Sequence, residues 1–210
     1  MEVFKLTTTE DLLNVITSRT SVRHYNPEVK ISKEELENIL ETAGKAPSAW
    51  NLQHWHFMVF HSDASKERLL PIAYNQKQIV ESSAVIAVLG DLEADKKTET
   101  VYTPLVDAGF MSKEIMESLA GQINRAYDNP VNARDAAHTN ASLAAMQFIL
   151  TAKAKGYDTC SIGGFDAQKL KEEFAVSDRF VPVMLITIGQ AAKPAHKSER
   201  LPLNEVTTWL

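Results

Sequence analysis

One stretch, NASLAAMQFILTAKAK at residues 140–155, constrains this chain more than any other. Read as a helix, its Leu143, Ala144, Met146, Gln147, Phe148, Ile149 and Leu150 leave almost no polar face. A helix that is apolar around most of its circumference has to be buried around most of it. The fold must therefore wrap its other elements round this one. The spacing predicts a start at Asp135 or Asn140, with Lys153 and Lys155 near the negative end of the dipole and Gly156 as the stop.

The partners this helix needs are visible on either side. HFMVF at residues 56–60 reads as a buried strand, AVIAVLG at 84–90 as a mid-sheet strand, and VPVMLITIG at 181–189 as a last strand. Residues 9–18 read as a helix, with Leu12, Leu13, Val15 and Ile16 on one face behind a capping run Thr7–Thr9. Ser32 to Glu35 forms a capping box before a helix carrying Leu36, Ile39, Leu40 and Ala43, stopped by Gly44 and Pro47. Ser62 opens a short helix to about Leu70, and Asp166 caps another in FDAQKLKEEF. Strands alternate irregularly with helices, which predicts an α+β fold with a mixed, mainly antiparallel sheet. The chain reads as one domain, residues 1–210, with a polar helical excursion over about 91–129 and a tail over about 190–210. The tail ends in Trp209-Leu210, and apolar groups at a chain end point to docking on another subunit.

Composition narrows the function classes. Against 22 basic residues stand 27 acidic ones, so no broad basic field for nucleic acid exists. The single cysteine, Cys160, excludes an internal disulfide framework and reads as a buried core residue. No apolar run is long enough to span a bilayer, and MEVFKLTTTEDLL lacks the pattern of a signal peptide. The expected setting is cytoplasmic, with no membrane partner. No G-x-G-x-x-G and no G-x-x-x-x-G-K-[ST] occurs, so neither common phosphate loop is indicated.

Two stretches carry candidate chemistry. In SRTSVRHYN at residues 18–26, an extended backbone would point Arg19, Ser21 and Arg23 the same way. Two guanidiniums and a hydroxyl in a row suit a phosphate, and a solvated basic face is the plainer alternative. In APSAWNLQHWHFMVF at residues 46–60, a Pro-Ser turn, Asn51 and Gln53 precede a strand. Their amides can read the mixed edge of a heterocycle or simply form an Asx-turn. His54 and His56 would share a strand face, but no third metal ligand is spaced nearby. A hydrolase set of His138, Cys160 and Asp135 lacks a nucleophile elbow.

Five stretches in order, RTSVRHYN, APSAWNLQHWHFMVF, NQKQIVESSAVIAV, GYDTCSIGGFD and KSERLPLNEV, resemble the FMN-dependent nitroreductase family over residues 12–206. The resemblance implies an intertwined homodimer with FMN at the interface and the C-terminal tail reaching the partner. It implies that Arg19, Thr20, Ser21 and Arg200 hold the phosphate and ribityl chain, with Lys197 beside them. Arg23 matches a basic residue near the ribityl and pyrimidine portion. Pro47, Ser48 and Asn51 match a turn given by the other subunit, and Asn75 and Gln78 the pyrimidine edge. Gly163 and Gly164 match a turn whose backbone approaches the flavin near N5. No catalytic side chain and no metal is implied. Ala49 and His54 stand where many relatives carry Ser and Pro. Gln78 and Gly163 replace a lysine and a glutamate of one branch, so the chain looks like the IGGFD branch.

The implied reaction takes hydride from NADH or NADPH at flavin N5 and passes it to a small nitroaromatic or quinone acceptor, in ping-pong order. A flavin carrier or redox sensor without nicotinamide turnover is the alternative. The excursion favours the enzyme, because a carrier needs no lid.

Overall fold

The computed structural model describes residues 9–210. The threonine cap expected from Thr7, Thr8 and the side chain of Thr9 lies outside the described residues. Four strands form one antiparallel sheet: β1 Trp55–Phe60, β2 Ala84–Asp91, β3 Asp158–Ile162 and β4 Phe180–Gly189. Their spatial order is β1-β2-β4-β3. Eight α-helices surround it among the described residues: α1 Thr9–Ser18, α2 Lys33–Ala43, α3 Asp63–Ile72, α4 Gln78–Glu81, α5 Thr98–Asp107, α6 Lys113–Tyr127, α7 Pro130–Ala154 and α8 Ala167–Glu173.

Every residue of β2 is buried. Period-two alternation sorts its side chains between two cores. Ala84, Ile86 and Val88, with Ile186 and Ile188 of β4, pack against Leu36 and Ile39 of α2 and Ala141, Ala145 and Phe148 of α7. Val85, Ala87 and Leu89, with Leu185 of β4 and Cys160 and Ile162 of β3, pack against Leu69 and Ile72 of α3, Ile79 of α4 and Leu170 of α8. The run reads as unbroken apolar sequence because neither face of the strand meets water. Strand β1 departs from the sequence expectation. It is an edge strand, and only Phe60 in it is buried.

Helix α7 begins at Pro130, earlier than the apolar pattern predicts. Asn129 caps it by accepting from the Val131 N–H at 3.0 Å, and Pro130 takes the first helical position, where its missing N–H costs nothing. The first two turns expose Asn132, Arg134 and Asp135 and bury only the small Ala133, which hides them from an apolar-periodicity reading. The Ser32 box is half realised. Ser32 Oγ accepts from the Glu35 N–H, while the Glu35 carboxylate accepts from Lys155 Nζ at 3.0 Å and ties α2 to the end of α7.

Strand β3, DTCSI, is too short and polar to stand apart from its glycine turn in the sequence pattern. One side of it pairs with β4. Its other side carries the Arg19–Arg23 segment: Ser21 forms a parallel bridge with Thr159, and the Val22 N–H donates to the Thr159 carbonyl at 3.0 Å. This parallel bridge lies outside the four strands, whose pairings are all antiparallel, where the sequence predicts a mixed sheet. The same segment then meets the start of the tail, Tyr25 opposite Ala191, with Asn26 N–H donating to Gln190 O and Ala192 N–H to His24 O. No helix among the described residues is long and apolar enough to cross a membrane.

Helix α7 crosses β2 so closely that a Cβ on Gly90 would sit 2.9 Å from the Ala137 backbone. Gly90→Ala must push the helix from the sheet, and the expected cost is about 1–3 kcal/mol of overpacking. Denaturant unfolding checks this, with Gly163→Ala as a control, since nothing lies within 4 Å of a Cβ there.

Candidate cofactor site

The pairing of Val22 with β3 decides where the arginines go. Val22 is 2% exposed and turned into the core, so its neighbours Ser21 and Arg23 point outward. Arg19 is half-buried and Arg23 exposed. Elsewhere in this acidic chain Arg68 pairs with Glu173 and Arg179 with Asp91. Arg19 and Arg23 have no hydrogen bond or ion pair to any described residue. Their field still reaches β3. Burial pushes the Cys160 thiol above its ordinary value, and Arg23 and Arg19 pull it part of the way back.

Strand β3 runs directly into Gly163 and Gly164. Both are exposed, and open space surrounds the position a Cβ would take on either. Residues 74–78 are fastened to this turn. Gln76 Nε2 donates to the Gly164 carbonyl at 2.8 Å and to Ala73 O at 2.9 Å, and the Asp166 N–H donates to Ile72 O. Tyr74 and Asn75 sit at φ of 54° and 57°. That conformation is tolerable for Asn, and it leaves the Asn75 side chain exposed beside the turn. Gln78 is only 8% exposed and donates to Gln76 Oε1 at 3.1 Å. This bond steadies Gln76, a residue with no motif of its own in the sequence. The signal available was two glutamines two apart at a helix start, one able to steady the other.

The edge of β3 therefore carries Arg19, Thr20, Ser21 and Arg23 along its length and leads at its C-terminal end to Gly163, Gly164, Asn75 and Gln78. It does not gather Pro47, Ser48 and Asn51. These lie at the start of β1, on the opposite edge of the sheet, with two strands between, about 14 Å at the usual strand spacing. Their turn is unusual. Trp50, Asn51 and Gln53 have φ of 52°, 54° and 50°. Such backbone costs a residue with a Cβ roughly 1–2 kcal/mol, less for Asn. Inside the turn Ser48 Oγ accepts from the Gln53 N–H at 2.9 Å, and the Asn51 N–H donates to Ser48 O.

Lys197 and Arg200 are exposed on the tail, and Arg200 Nη1 donates only to its neighbours Ser198 Oγ and Glu199 O. Among the described residues neither is bonded to Arg19. Leu201, Leu203, Val206 and Trp209 are also exposed, as are Leu12, Leu13 and Ile16 of α1 and Leu143 and Met146 of α7.

The two histidines of HWH do not share a face. His56 is exposed and stacks on Phe180, whereas His54 precedes β1 and is fully buried. Among the described residues neither ring nitrogen of His54 has a hydrogen-bond partner, nor does the hydroxyl of nearby Tyr127. Burial, reinforced by Lys97, pushes the His54 imidazole down to about 4, against an opposing pull from Asp91. Asp91 is itself buried. Burial alone would raise its carboxyl, but two hydrogen bonds from Arg179 at 2.7 Å and an ion pair with Lys97 at 2.8 Å hold it below the usual value. Among the described residues no group of three or more His, Cys, Asp or Glu is placed to hold a metal.

Unpaired guanidiniums, an open glycine turn and exposed amides on one sheet edge suit a ligand with a phosphate, a polar ring edge and a flat ring. Comparison with known proteins points the same way. The model of the Nitroreductase family matches residues 16–190. YodC of Bacillus subtilis, an NAD(P)H nitroreductase by name, is 61% identical over 198 residues, 94% of this chain and 98% of that one. A nitroreductase-named protein of Exiguobacterium sibiricum, crystallised in complex with FMN, superposes with a TM-score of 0.89 at 40% identity, covering 98% of this chain and 100% of that one. An enone reductase of Lactiplantibacillus plantarum is 33% identical over 214 residues, 100% of this chain and 99% of that one.

The buried imidazole makes stability depend on acid. An unfolded histidine titrates near about 6.5, and folded His54 near 4. Between those values the unfolded chain holds a proton that the folded chain refuses, so stability falls as pH drops through that window. Asp91, held low, gives up its contribution only at more acid pH. His54→Phe is expected to lose less stability than the wild type between about pH 7 and about pH 4.5. Urea midpoints at the two values measure it.

Proposed function

Because the chain belongs to the nitroreductase family, we propose that it is an FMN-dependent oxidoreductase. In this reading it takes hydride from NADH or NADPH and passes it, in ping-pong order, to a small nitroaromatic or quinone-type acceptor. The observation that carries the reading is the pair of unpartnered guanidiniums, Arg19 and Arg23, on the same strand edge as the open Gly163–Gly164 turn.

The residues fit each part of FMN. Arg19, Thr20 and Ser21 would hold the phosphate and ribityl chain, with charge-assisted bonds from guanidinium to phosphate oxygen. Arg23 would stand near the ribityl and pyrimidine portion, where a cation favours negative charge on the ring and so sets its potential. Asn75 would meet the pyrimidine edge with its amide, while Gln78 acts through Gln76. Gly163 and Gly164 leave room for a ring to lie against backbone, because no Cβ stands in the way. Bound FMN supplies the hydride chemistry itself, accepting from the nicotinamide and delivering to the acceptor at N5. The chain contributes binding, orientation and the field around the ring, and no side chain is needed as a general base.

We assign the rest of the site to a second copy. Pro47, Ser48 and Asn51 lie beyond the opposite edge of the sheet from Arg19 in one protomer, and among the described residues Arg200 bonds only within its own tail. A homodimer would cover the exposed apolar residues of α1 and α7 and give Trp209 and Leu210 a surface to dock on. It would also deliver the partner copy's turn and arginine to the site. Use of NADH or NADPH favours a cytoplasmic setting, and no nucleic-acid or membrane partner is invoked.

The likeness to an enone reductase brings conjugated enones into the acceptor panel. The test is direct. The purified protein should be yellow and should oxidise NADH or NADPH with menadione, a nitrofuran or an enone. Flavin retained without oxidation of either nucleotide would make it a carrier or redox sensor. Arg19→Ala should raise the Kd for FMN roughly ten- to hundredfold, the loss of one charge-assisted bond of about 1.5–3 kcal/mol. Flavin fluorescence titration reads this, and an unchanged Kd removes Arg19 from the site.

A further inference from the structure

The turn at residues 48–53 is held by groups from outside it. Tyr102 of α5 donates its hydroxyl proton to the Trp50 carbonyl at 2.8 Å. Lys97, in the helical turn Ala94–Lys97, donates to the Gln53 carbonyl at 2.8 Å. Asn140 of α7 accepts from the Ala49 N–H at 2.8 Å through Oδ1, and its Nδ2 donates to Ala136 O, which fixes the amide's orientation. Each of the three left-handed residues thus lies at or beside an external anchor. Two of the three anchors, Lys97 and Tyr102, come from the excursion between β2 and α7.

We infer that Tyr102 and Lys97 are positioning residues for FMN binding: they hold the strained 48–53 turn in the one conformation that presents Ser48 and Asn51 to the cofactor. The inference rests on the functional reading above and deepens it. A backbone with left-handed Trp50 and Gln53 relaxes toward extended or right-handed conformations once released. Relaxation would carry the Ser48 hydroxyl and the Asn51 amide away from their positions. The anchors are themselves fixed. Lys97 pairs with fully buried Asp91, which two bonds from Arg179 hold at the end of β2. The Tyr102 ring packs with Leu52, Ala94 and Ile123 in a small core of its own. The excursion is therefore joined through two hydrogen bonds to the turn that would carry part of the cofactor site. In the proposed dimer, the excursion of one subunit shapes the site that binds the flavin of its partner. A lid that only covered an acceptor would need neither bond.

Tyr102→Phe keeps the ring and removes only the hydroxyl. Lys97→Met keeps the stem and removes the charge, and Lys97→Arg keeps a donor. In the holoenzyme, Tyr102→Phe and Lys97→Met are each expected to raise the FMN Kd about three- to tenfold. They should also speed amide hydrogen exchange over residues 49–53, and Lys97→Arg should restore much of both. If Lys97→Met does not fold, Tyr102→Phe carries the test. A wild-type protein that binds no FMN overturns the functional reading and this inference with it. A wild type that binds FMN, with variants that bind it equally and exchange equally over 49–53, overturns the inference alone. A lowered unfolding midpoint with unchanged FMN affinity also overturns it, because the contacts then serve stability only.

Discussion

The burial of β2 on both faces is the constraint from which the rest follows. A strand with no wet face needs a helical layer on each side and a hydrogen-bonded neighbour along each edge. Helices α2 and α7 supply one layer, and α3, α4 and α8 the other. Strands β1 and β4 supply the neighbours. Helix α7 meets the β2 backbone at Gly90, which lacks a side chain, so the 25-residue helix reaches the fully buried strand backbone to backbone. Close packing of this kind is what makes the scaffold rigid enough to hold a site at its margin.

That margin is β3. A strand at the edge of a sheet offers unused backbone donors and acceptors. Here the Arg19–Arg23 segment takes them through Ser21 and Val22. The hydrogen bond from the Val22 N–H to Thr159 holds this segment on β3, with Val22 buried and Arg23 beside it exposed. The same strand leads into the glycine turn, and Gln76 straps residues 74–78 to it. Charge, space and amide groups converge because one strand edge organises all three.

The other half of the candidate site depends on a different device. Asp91 ends β2 inside the protein, where an isolated carboxylate would be costly, and two cations neutralise it. A buried pair of this kind adds little net stability over an apolar core, but it has only one good geometry. It thereby fixes where the excursion leaves the sheet, and so where Lys97 and Tyr102 stand relative to the turn at 48–53.

Much of this was legible in the sequence. Helix α1, the Ser32, Ser62 and Asp166 caps, the course of β2 and β4 and the helical excursion all follow from local patterns, because propensity, capping and periodicity act between near neighbours. The arginine row could be named for the same reason, since its chemistry sits in a few consecutive residues, whereas the Gly163–Gly164 turn was implied only by the family resemblance. What the sequence did not carry is whatever depends on partners distant along the chain. Strand β1 reads as buried but lies at an edge, which only sheet order decides. Strand β3 is too short and polar to announce itself without β4. His54 and His56 are two apart yet meet opposite environments, since the strand begins only at Trp55. Gln76, Asn140 and Lys97 look like ordinary surface or helix residues until the fold brings Gly164, Ala49 and Gln53 to them. Residue types and local conformation are written in the order of the amino acids. The pairing of groups far apart in that order is settled only when one core closes, because each hydrogen bond between them requires its backbone to be already in place.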